Sequence, residues 1–236
     1  MNDKISIVCV TMNAAKYISG CIDSILSQSY QNIEIVIFDG NSSDGTQAII
    51  ESYGDKISFF RCESDSGVYD AMNKALDHIS GKWVYFLGAD DRLLPEFSDF
   101  AKNELKDDSF IYYANVMYKG KKTKGEVDEY EEAKHGIFHQ TIIYPAKVFS
   151  KYRYNLKYKV NADYALNLQL HGDRDFHFRY EDYIIARYDE NGMSSIVEDK
   201  AFLEDKAGLI LRNFGWKIKT RFFFRLIKSK LSGNKI

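Results

Sequence analysis

Asp90 and Asp91 stand directly after the apolar run Val84–Tyr85–Phe86–Leu87–Gly88–Ala89, two adjacent carboxylates delivered by what reads as a buried strand. Oxygen donors of that kind suit a hard divalent cation, which takes one or two protein carboxylates and completes its shell with phosphate and water. A second polar string lies upstream: Glu63–Ser64–Asp65–Ser66–Gly67–Val68–Tyr69–Asp70–Ala71–Met72–Asn73–Lys74. An Asp-Asp pair alone says little, and Asp70, Asn73 and Lys74, neighbours at i+3 and i+4, alone read as a solvated helix face. Together they point to a metal-assisted nucleotide-sugar site. In the second half, Asn161–Ala162–Asp163 opens a helical pattern and His139–Gln140 precedes a short apolar run. By structural chemistry alone Asp163 is an N-terminal helix acid favoured by the dipole, and His139–Gln140 a satisfied polar pair. His135 and His139 have no helix or nearby Cys to make a zinc site with them.

The elements that must position these groups alternate. Ile5–Thr11 is apolar and β-branched, as a buried strand is. Ile18, Cys21, Ile22, Ile25 and Leu26 repeat with helical spacing. Ile33–Phe38 reads as a second strand, running into the turn-rich Asp39–Gly40–Asn41–Ser42–Ser43–Asp44–Gly45–Thr46. Ile57–Cys62 is a third strand, Val68–Ile79 a helix and Lys82–Leu87 a fourth strand. Such alternation predicts a mainly parallel sheet with right-handed crossovers, whose ligands bind beyond the carboxyl ends of the strands. Thr11–Met12–Asn13, Asp39 and Asp90–Asp91 all fall at those ends. Beyond Pro95, which suits a first helical position, the pattern loosens. Strands are expected at Phe110–Tyr118 and Gly125–Tyr130 around a Lys119–Lys122 turn, at Thr141–Tyr144 and at His177–Tyr188, with a helix at Ala162–Leu170.

At 236 residues with 45% hydrophobic content, the chain supports one large α/β body. Its apolar runs fall short of a membrane span, and no signal peptide is evident. Cys9, Cys21 and Cys62 are odd in number and scattered, as in a reducing compartment, so a cytoplasmic protein is expected. The net charge of −2 hides an asymmetry: after Asp205 no acid occurs and nine Lys or Arg do, leaving −11 on the rest. No G-x-G-x-x-G follows the first strand and no P-loop is present, which argues against a dinucleotide oxidoreductase and a P-loop enzyme.

Val10–Thr11–Met12–Asn13, Ile37–Thr46, the Glu63–Ala75 segment and Leu87–Asp91 resemble glycosyltransferase family 2, inverting enzymes of GT-A fold. The Glu-x-Asp-x-Gly-Val-Tyr-Asp-Ala-Met-Asn-Lys string is similar to a bacterial subgroup associated with surface polysaccharide assembly. The resemblance covers roughly the first 195 residues, and is thinner after Asp91. It implies a nucleotide-binding half (1–92), an acceptor-side half (93–195) and a C-terminal helical extension (196–236). Carried over by position, Thr11 and Asn13 line the base and ribose pocket, Asp39 bonds uracil or ribose, and Asp65 and Asp90 belong to the nucleotide site. Asp90 and Asp91 meet the ribose hydroxyl and a Mn²⁺ or Mg²⁺ ion. Asp70, Asn73 and Lys74, with His139 and Gln140, border the diphosphate and donor sugar, and Asp163 is the catalytic carboxylate. The chain departs from the family at Val10, often Pro there, and at Gly88, in the place of the first acid of an Asp-x-Asp triplet.

The expected partners are a UDP-sugar and a saccharide or lipid-linked saccharide acceptor, with no nucleic acid. Between 216 and 231, Lys217, Arg221, Arg225 and Lys228 align along a helix, with Ile218, Phe222, Phe223, Leu226, Ile227 and Leu231 covering much of the other side. Such a helix suits an anionic membrane surface; its alternative is packing on the body. The competing function is a catalytically silent nucleotide- or carbohydrate-binding module on the same scaffold.

Overall fold

The computed structural model describes residues 3–188 and 198–232. A nine-stranded sheet runs in the order β3-β2-β1-β4-β8-β6-β9-β5, with a short β7 hairpinned onto β6. The strands are β1 (Ile5–Thr11), β2 (Ile33–Asp39), β3 (Phe59–Cys62), β4 (Trp83–Phe86), β5 (Arg92–Leu93), β6 (Phe110–Tyr118), β7 (Lys121–Lys122), β8 (Ile142–Pro145) and β9 (His177–Arg187). β3, β2, β1 and β4 are parallel. β8 is antiparallel to both β4 and β6, so β6 and its parallel neighbour β9 return to the first direction. The mixed α/β sheet is therefore mainly parallel.

The period-2 geometry of strands divides the core between two faces. Ile5, Ile7 and Cys9 of β1, with Trp83 and Tyr85 of β4, pack under α1 (Ile18–Leu26) and α4 (Glu96–Asn103). Val8, Val84 and Phe86 face the other way, toward α3 (Val68–Ala75) and α7 (Ala162–Leu170). The remaining helices are α2 (Thr46–Glu51), α5 (Glu129–His135), α6 (Lys147–Lys151), α8 (Lys200–Asn213) and α9 (Trp216–Ser232). Phe202, Leu209, Ile210 and Phe222 of α8 and α9 join the α3–α7 core, so the basic C-terminal stretch packs on the body. The expected boundary at 195 lies outside the described residues, as do the side chains of Leu226 and Leu231. No described helix is long and apolar enough to cross a membrane.

Three expectations need correction. Gly125–Tyr130 is not a strand: the Asp128 carboxylate accepts from the Glu131 amide and starts α5, where Glu129, Glu131 and Glu132 suit the positive helix end. The turn narrows to Lys119 and Gly120, both at positive φ, and Lys121–Lys122 already pair with β6. The helix expected to Ile79 is α-helical only to Ala75, tightens to a 3₁₀ turn at Leu76–His78 and ends with Ile79 extended.

Candidate active site

The carboxyl ends of β1 and β2 meet in register, Thr11 opposite Asp39. Asp39 is fully buried. Its carboxylate accepts from the Thr11 hydroxyl (2.6 Å), the Ser42 amide (2.7 Å) and the Ser42 hydroxyl (2.7 Å). Asp39 therefore braces the loop that follows β2. Asn13, exposed and left-handed at φ 51°, donates its amide to Ser42 Oγ and accepts from the Ser43 amide. Asn tolerates that conformation better than most residues. Thr11, Asn13, Asp39 and Ser42 thus form one locked rim at the end of the β1–β2 pair.

The Glu63–Lys74 string crosses beside this rim. Asp65 lies so close to Gly40 that a Cβ there would sit 2.5 Å from its Oδ2. Asp65 also accepts from the Gly67 amide, and Gly67 at φ 128° makes the turn into α3 that a side chain would resist. Asp70 accepts from the Ser66 amide at 2.8 Å, and that bond, with Lys74 adding to it, holds its carboxyl below the usual range. Lys74 gathers Glu63 (3.0 Å), the Ser64 carbonyl (2.9 Å) and Asp70 (3.6 Å). The Asn73 amide bonds both ways to the Tyr154 backbone, at 2.9 Å each. Asn73 therefore ties α3 to the loop before α7, and its side chain is committed to that backbone.

The acid loop follows β4. Asp91 is buried, 1% exposed, and accepts from the Gly88 amide at 3.2 Å; Asp90 is half-exposed. A Cβ at Gly88 would come 2.6 Å from Asp91 Oδ2 and 2.9 Å from Asp90 Oδ1. Both carboxylates thus converge over the bare α-carbon of Gly88, and an acid at that position would collide with them. Arg92 fixes the loop from behind, donating to the Asp91 and Tyr17 carbonyls.

Asp163 sits on the first turn of α7, and the Tyr69 hydroxyl of α3 donates to its Oδ1 at 2.5 Å, with the Val160 carbonyl 2.6 Å from the same hydroxyl. Around this carboxylate stand groups that burial keeps neutral. Burial first, and the Asp163 charge with it, pushes the Tyr69 and Tyr144 phenols upward. The Tyr154 phenol rises mainly through burial. His139 is pushed below its usual range by burial, opposed by Asp163, and its Nε2 lies 3.1 Å from the Tyr154 hydroxyl. Its ring stacks on Phe86 at 5.3 Å. Phe86 is the last residue of β4, so the acid loop and the Asp163 neighbourhood share a wall of Phe86, His139, Tyr154 and Tyr69. At Gln140 the contact recorded is through its backbone carbonyl, which accepts from Tyr85 at 2.7 Å.

Tyr69 and Tyr154 are the residues that sequence reasoning gave no role. Tyr69 stood inside the quoted string, next to Asp70, but its partner is 94 positions away and no local pattern announces it.

The family model for glycosyl transferase family 2 matches residues 6–170. The chain belongs to glycosyltransferase family 2. Among curated relatives of this family 2 chain, the "PGL/p-HBAD biosynthesis glycosyltransferase" of Mycobacterium bovis is 33% identical over 212 residues, covering 84% of this chain and 82% of the relative. Among solved structures, S. aureus TarS 1-349 in complex with UDP-GlcNAc matches with a TM-score of 0.73 at 19% identity, over 93% of this chain and 71% of that one. The longer S. aureus TarS structure is matched over 98% of this chain but 44% of its own length. Mannosyltransferase PcManGT from Pyrobaculum calidifontis, in complex with GDP-Man and Mn²⁺, matches with a TM-score of 0.62 at 16% identity, over 90% and 63% of the two chains. At those identities the likeness is of fold, the GT-A type.

Whether this family 2 site fits a divalent cation is tested by the cradle over Gly88. Two carboxylates meet there, and no third His, Cys, Asp or Glu joins them in a metal cluster among the described residues. Carboxylate oxygens, with phosphate and water completing the shell, are the donors that Mg²⁺ and Mn²⁺ accept, and Asp90 is half-exposed. The residues fit. Tyr69→Phe removes the hydroxyl donor to Asp163 and little volume, so a fall in kcat of about tenfold is expected, the worth of one charge-assisted hydrogen bond. KM for the donor should stay unchanged, which steady-state kinetics checks.

Proposed function

We propose that this protein is an inverting glycosyltransferase that moves a sugar from a UDP-sugar to a hydroxyl of a saccharide or lipid-linked saccharide acceptor. The observation that carries it is the Tyr69–Asp163 contact. It ties the helix of the diphosphate-side string to a carboxylate on the acceptor half, facing groups that burial holds neutral. The Asp163 carboxylate takes the proton of the acceptor hydroxyl as that oxygen bonds to the anomeric carbon. The bond from that carbon to the diphosphate breaks in the same displacement, and its electron pair leaves with UDP. One carboxylate on the acceptor face suffices, and the anomeric configuration inverts. The reacting carbon is oxocarbenium-like, as at glycosyl centres generally.

Asp90, the more exposed of the pair, would be the principal ligand of a cation, with Asp91 setting the loop behind it. When bound, a Mn²⁺ or Mg²⁺ ion would offset charge on the departing diphosphate. Lys74 and the Asp65–Gly67 turn border the diphosphate, and Thr11, Asn13 and Asp39 shape the base and ribose rim. His139, neutral, offers a hydrogen bond toward the sugar side. The relatives are in keeping with this: one is a PGL/p-HBAD biosynthesis glycosyltransferase and TarS was solved with UDP-GlcNAc. The proposal extends to surface-glycan assembly, with residues 1–92 as nucleotide half, 93–195 as acceptor half and 196–236 as extension. A catalytically silent module on the same scaffold is the alternative, and the Asp90 and Asp91 carboxylates over Gly88 favour the enzyme. Calorimetry over a panel of nucleotide sugars with Mn²⁺, followed by transfer assays on the binders, tests the reading. A UDP-sugar should bind and turn over with inversion; binding without any turnover would return the silent module.

A further inference from the structure

The last helix has two apolar faces where the sequence suggests one. Ile218 and Phe222 turn inward and pack on the α3–α7 core. Trp216, Phe223, Phe224 and Ile227 stand out from the body at 71%, 51%, 69% and 40% exposure. At about 100° per residue they fall on one side of α9, opposite Ile218 and Phe222. Of the ten large apolar residues exposed among the described ones, four are on this helix face. Scattered exposed apolar residues need no explanation, but a cluster of aromatics on one helix face does.

Cations flank that face. Lys217 and Lys228 line one side and Lys219 the other, in a stretch with no acid after Asp205. Arg221 instead lies over the Tyr130 ring at 3.7 Å, where its charge adds to the Glu131 amide bond in lowering Asp128. On the body side, a cavity of ≈ 200 Å³ lies between α5, α8 and α9, lined by Lys134, His135, Lys206, Phe222 and Arg225. Lys206 donates to the Lys134 carbonyl at 2.6 Å. Burial, and then Arg225, hold its ammonium down to about 8. Lys134 is paired with Glu131 at 2.9 Å and His135 lies 3.8 Å from the same carboxylate. By contrast, among the described residues neither Lys206 nor Arg225 has a carboxylate in ion-pair range, so an anion entering the cavity would meet those two cations.

We propose that α9 seats the protein on an anionic lipid bilayer, with Trp216, Phe223, Phe224 and Ile227 at the boundary of headgroups and acyl chains. The flanking cations meet headgroup phosphates, and the cavity beside Arg225 receives one of them. Aromatics on one face with Lys and Arg at its borders are the arrangement of an interfacial helix. A nucleic acid fits less well, because the rest of the chain carries −11 and would repel a long polyanion.

The test is co-sedimentation of the full chain with vesicles of phosphatidylcholine alone and with about one-third phosphatidylglycerol. The chain should pellet with the anionic vesicles and far less with the neutral ones. Lys217→Gln with Lys228→Gln should lower the partition constant by about 25-fold, roughly fivefold for each charge. Phe223→Ser with Phe224→Ser should lower it by about tenfold or more, and Arg225→Gln by about fivefold. All these residues are outside the candidate active site, so UDP affinity by calorimetry should be unchanged in each variant. That separates failure here from failure of the transferase reading. Equal pelleting of all variants, no pelleting of the parent, or capture by a single-stranded oligonucleotide in place of vesicles would each overturn the proposal.

Discussion

Asp163→Asn should lower the transfer rate by about 10²–10⁴-fold, the usual worth of a positioned general base, and leave UDP affinity within about twofold. Asn keeps the shape and an oxygen that accepts from the Tyr69 hydroxyl, so α7 and its tie to α3 survive. What is lost is the negative charge and the capacity to take a proton. The surrounding phenols cannot replace it: burial, which outlasts the substitution, still pushes Tyr69 upward, away from the ionised form that could serve as a base. Neutral His139 is already in contact with Tyr154. Stopped assays with a radiolabelled donor, beside calorimetry with UDP, read both quantities. Parallel loss of nucleotide binding and transfer would make Asp163 a structural residue.

Asp90→Asn should weaken UDP binding in the presence of Mn²⁺ by at least ~10–100-fold, the loss that outer-shell partners of a metal alone can cause. A chelator should do the same to the parent protein and add nothing to the variant, because both remove one interaction. Asp91→Asn should act differently. Its carboxylate is buried against the Gly88 amide, and an amide oxygen can still accept there. Its cost should appear more in the denaturation midpoint than in metal dependence. UDP affinity indifferent to both chelation and Asp90→Asn would remove the cation from this site.

The parts of the fold that were legible in the sequence are those whose burial is local and continuous. β1, β2 and β4 are covered on both faces, so they read as unbroken apolar runs, and the ends of those runs place Thr11, Asp39 and Asp90–Asp91 on one side of the sheet. Gly125–Tyr130 was misread because alternation over so few residues does not distinguish a strand from a capped helix start; Asp128 and the glutamates after it decided the matter. The tail was only partly legible, for another reason. Helical spacing shows which residues share a face but not which face the body covers, so Phe222 and Phe223 looked alike until one was buried and the other was not.

The site itself was legible as a list of residue types and not as a set of contacts. Nothing in the sequence says that Asn73 belongs to the Tyr154 backbone, 81 positions on. Nor does it say that Gly88 is bare because two carboxylates lean over it. Both follow from long-range packing, which leaves no periodic trace.

The most direct test is a crystal structure grown with UDP and Mn²⁺, with an anomalous difference map locating the ion. The expected result is a Mn²⁺ peak between the Asp90 carboxylate and the diphosphate, the uracil against the Thr11–Asp39 rim, and the Asp163 carboxylate facing the space where the sugar would lie. A nucleotide seated elsewhere, or an ion bound away from Asp90 with Asp163 directed outward, would contradict it.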